Sequence, residues 1–453
     1  MHTGQHNQFS MGLHLTSPRR RKRMKFSKLS QLFLVSSIGL LVATFFSACA
    51  VTTIDYVFVA CSAGSGTSSA GQIETYAVDS QSGALRTVNS AVSSGGVNPI
   101  SMAVTPDYAN LYAANAGNRS IVHFAISING VLTSKDTVTL TTTPIAIAVN
   151  KAGTYLYVVS CTPVTGTAYP TLSCSGGATL TAYSLSSGAI GSVASAKTLS
   201  LYGSYAAYSG DVLVPTGVTV LESNAAVYVS AYDQSAYNPG CILTPPATTC
   251  ITSTANPGWV FGYMVGSGGA LTPLANPYEA GVKPTALDAT PVNTYLYVTD
   301  YASNQLIAYT ILDGGSTLSF LPTGPFRTGN EPTSITIDPR GKFIYVTNSL
   351  DSTVSPYDIT LATGVPTTAV NSTGGSNASN STDTQPVAVV VDPALGRFVY
   401  TANYLGNSLS GFRLDPTSGA LSQTQATPYP TGSNPTAVVS VPHGNYSTQS
   451  VTP

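Results

Sequence analysis

A chain of 453 residues has room for two or three ordinary domains, but large closed all-β architectures use this much sequence as a single unit. Only 8% of residues are charged, while Gly, Ser, Thr, Tyr and Val dominate, which argues against long helices and for many short strands joined by tight turns. Seven of the 18 basic residues precede residue 30, leaving the body with 11 basic against 19 acidic groups, a net of −8; a surface of this sign with no basic stripe repels phosphate backbones, so nucleic acid is not an expected partner.

The early cations are Arg19, Arg20, Arg21, Lys22, Arg23, Lys25 and Lys28. They lead into an apolar stretch, Leu29 to Phe46, that ends in small residues, the layout of a secretory signal over residues 1–48. Met24 opens a conventional signal by itself, so residues 1–23 fit an over-called start. The segment Phe46-Ser47-Ala48-Cys49 resembles the bacterial lipoprotein cleavage box, with Phe where Leu is usual. That resemblance implies lipidation of Cys49, a lipid-anchored linker over 49–53 and, with Ala50 in the following position, sorting to the outer membrane. Ordinary cleavage after Ala48-Cys49-Ala50 is the alternative and would discard the cysteine. The protein is therefore expected on the periplasmic side of the envelope or at the cell surface, meeting the membrane through a lipid anchor only.

After the linker, Tyr56-Val57-Phe58-Val59-Ala60 predicts a buried strand, with Cys61 at its end as a buried free thiol. Ile73 and Tyr76 mark the next strand, and Gly83-Ala84-Leu85 a weaker one. From Pro99 onwards a unit repeats. A proline opens an apolar strand at Pro99, Pro144, Pro215, Pro284, Pro332, Pro386 and Pro435. A second strand follows each of the first six, as in Leu111-Tyr112-Ala113-Ala114-Asn115, Leu296-Tyr297-Val298-Thr299-Asp300 and Ile344-Tyr345-Val346-Thr347-Asn348. A third strand carries an apolar residue three places before an aromatic, from Ile121 and Phe124 to Leu409 and Phe412. Gly130-Val131-Leu132, Gly269-Ala270-Leu271 and Gly419-Ala420-Leu421 mark fourth strands.

Four strands per unit at this period predict propeller blades. Residues 56–90 lack a first strand, and Pro435-Thr436-Ala437-Val438-Val439-Ser440-Val441 is a first strand with nothing after it. The expected fold is thus all-β, a seven-bladed β-propeller over 54–443 with four-stranded blades, closed by the C-terminal strand completing the N-terminal blade. Closure removes exposed sheet edges, and a monomer is expected. Residues 370–384 read as a flexible loop of blade 6, and 444–453 as a disordered tail.

Ile344-Tyr345-Val346-Thr347-Asn348 and its relatives resemble the YVTN repeat of the lactonase-like propeller superfamily, which includes propeller 6-phosphogluconolactonases. The resemblance implies that the proline-led strands line a central channel, approached by ligands from the face of the loops before them. Candidates on that face are Lys283 and Glu331, each directly before a blade proline, with Asp300, Asp351 and Arg119 in second-to-third loops. Asp288 is unusual in the middle of a first strand and needs a partner or an altered pKa there. Propeller lactonases typically carry an Arg-His pair after the blade proline. This chain has Pro215-Thr216, Pro284-Thr285, Pro332-Thr333 and Pro435-Thr436, and after signal removal only His123 and His443 remain, so general acid/base hydrolysis lacks obvious groups. The recurring Asn115, Asp300, Asn348 and Asn403 are explained by turn chemistry. No stretch suits calcium or zinc, and no cofactor is expected.

Long loops distinguish blades 3 and 4: residues 161–177, 198–214 and 232–257. They hold two cysteine pairs, Cys161 with Cys174 and Cys241 with Cys250, which in an oxidising compartment read as disulfides; cross-pairing is the other connectivity. They also hold Tyr169, Tyr202, Tyr205, Tyr208, Tyr232 and Tyr237. The expectation is a rigid aromatic lid binding a glycan or another envelope protein, with lactone hydrolysis as the alternative activity.

Overall fold

The computed structural model describes residues 52–62, 70–163, 173–234, 236, 257–371, 374–444 and 451. The chain divides into Met1–Val51 and Thr52–Pro453. The expected signal and Cys49 fall in the first unit, which lies outside the described residues, as do Tyr169, Tyr237, Cys241 and Cys250.

The alternating strands of the second unit form seven antiparallel sheets, each with four successive strands from the inner to the outer edge. The inner strands are Pro435–Pro442 for blade 1, then Pro99–Val104, Thr143–Val149, Leu213–Val220, Pro284–Ala289, Pro332–Ile337 and Pro386–Val391 for blades 2 to 7. Proline suits the first residue of an inner strand, where no ladder donor is needed. Five blades add a two-residue strand, such as Tyr278–Glu279, that pairs with the start of the third strand.

Blade 1 is built from both ends of the unit. Thr53–Cys61 pairs with Gln72–Asp79 on one side and with Pro435–Pro442 on the other, in register from Asp55 opposite Pro442 to Cys61 opposite Pro435. The ring is thereby sealed by backbone hydrogen bonds.

Each blade packs on the next through a buried apolar cluster, seven clusters for seven interfaces among the described residues. The repeated tyrosine of the second strand does more than fill space. Its hydroxyl donates to the carbonyl of a glycine in the outer hairpin of the following blade: Tyr112 to Gly188, Tyr228 to Gly315, Tyr297 to Gly364, Tyr345 to Gly419 and Tyr400 to Gly83. At Gly364 the backbone has φ +72° and a Cβ would strike the ring of Tyr295, so glycine alone fits. The Tyr and Gly repeats seen along the chain are two halves of one bolt between blades.

Two expectations, for the Cys161–Cys174 pair and for residues 370–384, need correction. Cys161 and Cys174 do form a disulfide, with Cα atoms 6.0 Å apart, but on prolonged strands rather than in a loop. The second strand of blade 3 runs Tyr155–Pro163 and the third Cys174–Ser186. The connection at 198–214 contains a short 3-10 helix, Gly203–Tyr208. The polar stretch 370–384 is not a free loop, because Asn377 accepts from the Leu421 amide at 2.9 Å and donates to its carbonyl at 3.3 Å, tying blade 6 to blade 7.

Candidate functional site

The seven inner strands enclose a central channel with a cavity of about 480 Å³. Its wall mixes aliphatic groups such as Ile145, Leu287 and Val389 with the hydroxyls of Ser101, Thr216, Thr285, Thr333, Ser334 and Thr436. No Asp, Glu, Lys, Arg, His, Cys or Tyr is among the described residues that line it. The threonines after the blade prolines have a structural task. Thr285 donates to the Pro332 carbonyl at 2.8 Å, Thr333 to Pro386 at 2.9 Å and Thr436 to Pro99 at 2.6 Å. Each of these three hydroxyls staples its blade to the next.

Asp288 lies nearer the far end of its inner strand. Its carboxylate accepts from the Ile337 amide of blade 6 and from the Ala289 amide, both at 2.9 Å. Burial nevertheless pushes its pKa up to about 6, against the pull of those two amides. It bridges two blades.

On the other face, Lys283 is buried, its ammonium 4.6 Å from the centroid of the Tyr301 ring and 5.6 Å from that of Tyr232. Burial pulls its pKa down to about 8, and the Glu331 carboxylate opposes that shift. The two residues singled out before adjacent blade prolines are thus brought within electrostatic reach of each other. Glu331 also accepts from the Ser349 hydroxyl at 3.2 Å. Asp300 is fully buried and saturated by donors, the amides of Val282 and Lys283 and the Gln305 side chain. Asp351 holds the Asn330 amide and side chain, and the exposed Arg119 reaches the Thr141 carbonyl. None of Asp300, Asp351, Arg119, Lys283 and Glu331 is among the described residues that line the channel cavity.

The recurring Asn and Asp after the second strand do not cap their own turns. Asn115, Asp300, Asn348 and Asn403 are fully buried and clamp the blade connection or the third strand: Asn115 binds Ser94, Asn348 the Gly329 amide, and Asn403 the hydroxyls of Ser408 and Ser410. This distance along the chain hid them from turn rules. His123 is likewise structural, buried between Asp136 and Asn110 and stacked on Tyr112, while Asp136 also accepts from the Ile190 amide of blade 3. Among the described residues no group of three His, Cys, Asp or Glu side chains could hold a metal ion.

Residues 271–447 match the family "Lactonase, 7-bladed beta-propeller". The chain is a seven-bladed propeller whose residues 271–447 are similar to that family. Its fold superposes on the periplasmic gluconolactonase PpgL of Pseudomonas aeruginosa with a TM-score of 0.65 at 16% identity, over 86% of this chain and 100% of that one. A candidate 6-phosphogluconolactonase from Bacteroides uniformis gives the same values, and a protein from Lactobacillus plantarum a TM-score of 0.63 at 18% identity, over 86% and 99% of the two chains. No curated protein matches the sequence significantly. Identities this low establish the fold alone.

On this propeller the tyrosines of blades 3 and 4 divide. Tyr232 is buried beneath Lys283. Tyr202, Tyr205 and Tyr208 are half-buried against the core shared by blades 3 and 4. Tyr202 faces Phe261 at 6.4 Å, and Tyr205 stands edge-on to Trp259 at 4.5 Å. Gln234 bonds the amide and carbonyl of Cys174, so the disulfide end of blade 3 is tied to blade 4. Of these tyrosines, Tyr205 alone lines a described cavity, a cleft between blades 4 and 5.

Proposed function

We propose that this lactonase-like propeller is an exported binding module of the cell envelope, lipid-anchored through Cys49, that takes a glycan or a protein partner without hydrolysing it. One observation carries the proposal: a channel of about 480 Å³ lined by hydroxyls and aliphatic groups, with no titratable side chain on its described wall. Such a wall can order a neutral polyol by hydrogen bonds and apolar contact, but it offers no group to move a proton or bear a charge. The Cys161–Cys174 disulfide is consistent with an oxidising compartment.

Lactone hydrolysis is the second reading. It is favoured by the family match over 271–447 and by the Lys283–Glu331 pair beside the inner strands. The test assays 6-phosphogluconolactone and unphosphorylated gluconolactone, then titrates a neutral glycan panel by calorimetry against wild type and Ser334→Phe, which fills the channel. The expected result is no turnover above the spontaneous rate and glycan binding that Ser334→Phe abolishes. Turnover lost in Lys283→Met and Glu331→Gln would establish the lactonase instead, and identical glycan binding by both proteins would remove the channel as the site.

A further inference from the structure

The cleft between blades 4 and 5, about 560 Å³ in volume, lies outside the channel and falls in the size range of small-molecule sites. Its floor is Tyr309 and Ile307, both buried. Tyr278 stands at 67° to Tyr309 with centroids 6.4 Å apart, and Phe320 at 78° with centroids 6.0 Å apart. Two rings thus stand upright on a third, and Phe320 is 46% exposed at the rim. Among the described residues of the lining, Glu279 alone is charged.

Several polar atoms of the lining are already engaged. Tyr205 donates to the Glu279 carboxylate at 3.3 Å, and Tyr309 donates to the Glu279 carbonyl. Asn276 accepts from the Ser204 amide at 2.8 Å, and the Gln305 amide donates to Asp300 at 2.9 Å. A sugar would find these partners taken. A cation surrounded by alkyl groups needs no hydrogen bond; it gains from the negative faces of aromatic rings and from a nearby carboxylate.

We propose that this cleft is a binding site for an alkylated ammonium group, held by the faces of Tyr278, Tyr309 and Phe320 and by the charge of Glu279. The site is independent of what the channel binds.

Trp259, the only tryptophan in the chain, is buried directly behind Tyr205 and supplies the readout. The full-length protein is titrated by tryptophan fluorescence with choline, with its uncharged tert-butyl analogue in which carbon replaces nitrogen, and with cellotetraose. Choline is expected to give a saturable change, weakened by added salt, with the tert-butyl analogue and cellotetraose giving none in the same range. Phe320→Ala and Glu279→Gln are each expected to weaken choline roughly two- to fivefold. Both positions are exposed, so the variants should keep the wild-type melting temperature, and that measurement separates lost binding from lost folding. Absence of saturation, equal binding of the tert-butyl analogue, saturation by cellotetraose, or full choline affinity in both folded variants would overturn the proposal.

Discussion

At Asp288 the propeller keeps a carboxylate where its charge is disfavoured, because both oxygens accept backbone amides and one of those amides belongs to the neighbouring blade. The ordinary pKa of 3.8 rises to about 6 in the folded protein, so the folded state holds a proton that the unfolded chain releases. Stability from this group is therefore greatest below about pH 4 and falls as pH rises through about 6. Asp55 and Asp392 add to the same slope, since both are fully buried and burial, with each other's charge at Asp55, pushes their pKa values up. Urea midpoints across this range should decline more steeply for wild type than for Asp288→Asn; parallel curves would count against the assignment. The anomaly of Asp288 was legible along the chain because six other blades place a small or hydrophobic residue there. Its partner was not, since Ile337 lies one blade further on. Thr285, Thr333 and Thr436 after their blade prolines were legible only as departures from the Arg-His pattern, whereas their role as staples depends on carbonyls 47, 53 and 337 residues away.

Among the elements, the prolonged strands of blade 3 are the clearest departure from the repeat. The Cys161–Cys174 disulfide joins them, and both sulfurs are buried. In the chain-entropy view a loop of this length is stabilised by roughly 3 kcal/mol. Replacing both cysteines with alanine should lower the unfolding free energy by about that amount, and adding reductant to the wild type should approach the same value. Urea titrations with and without reductant measure it, and an unchanged midpoint would show that the brace contributes nothing. Inner, second and third strands could be placed from proline, tyrosine and aromatic spacing because each has a fixed position in the pleat. Residues 370–384 misled for the opposite reason: Asn, Ser and Thr resemble linker chemistry, yet Asn377 spends its side chain on a second blade. Tyr278 and Phe320 also escaped notice. The available signal was an exposed Phe ending the short outer strand Thr317–Phe320 next to the exposed Ser319.

At the scale of the molecule, ring closure is what the chain ends announced. Residues 56–90 lacked an inner strand, Pro435–Val441 lacked a blade, and the structure joins them. Truncation after Asn434 should leave the Thr53–Cys61 strand with an unpaired edge. Size-exclusion chromatography is expected to show dimers or larger species together with a lower melting temperature; a monomer of unchanged heat resistance would contradict the closure. The same pairing sets an order of events. Asp55 meets Pro442 across almost the whole unit, and contacts of such long sequence separation form slowly. The first strand of the propeller must wait for the last, so a nascent chain in which Pro435–Pro442 has yet to be made holds six complete blades at most and no finished ring.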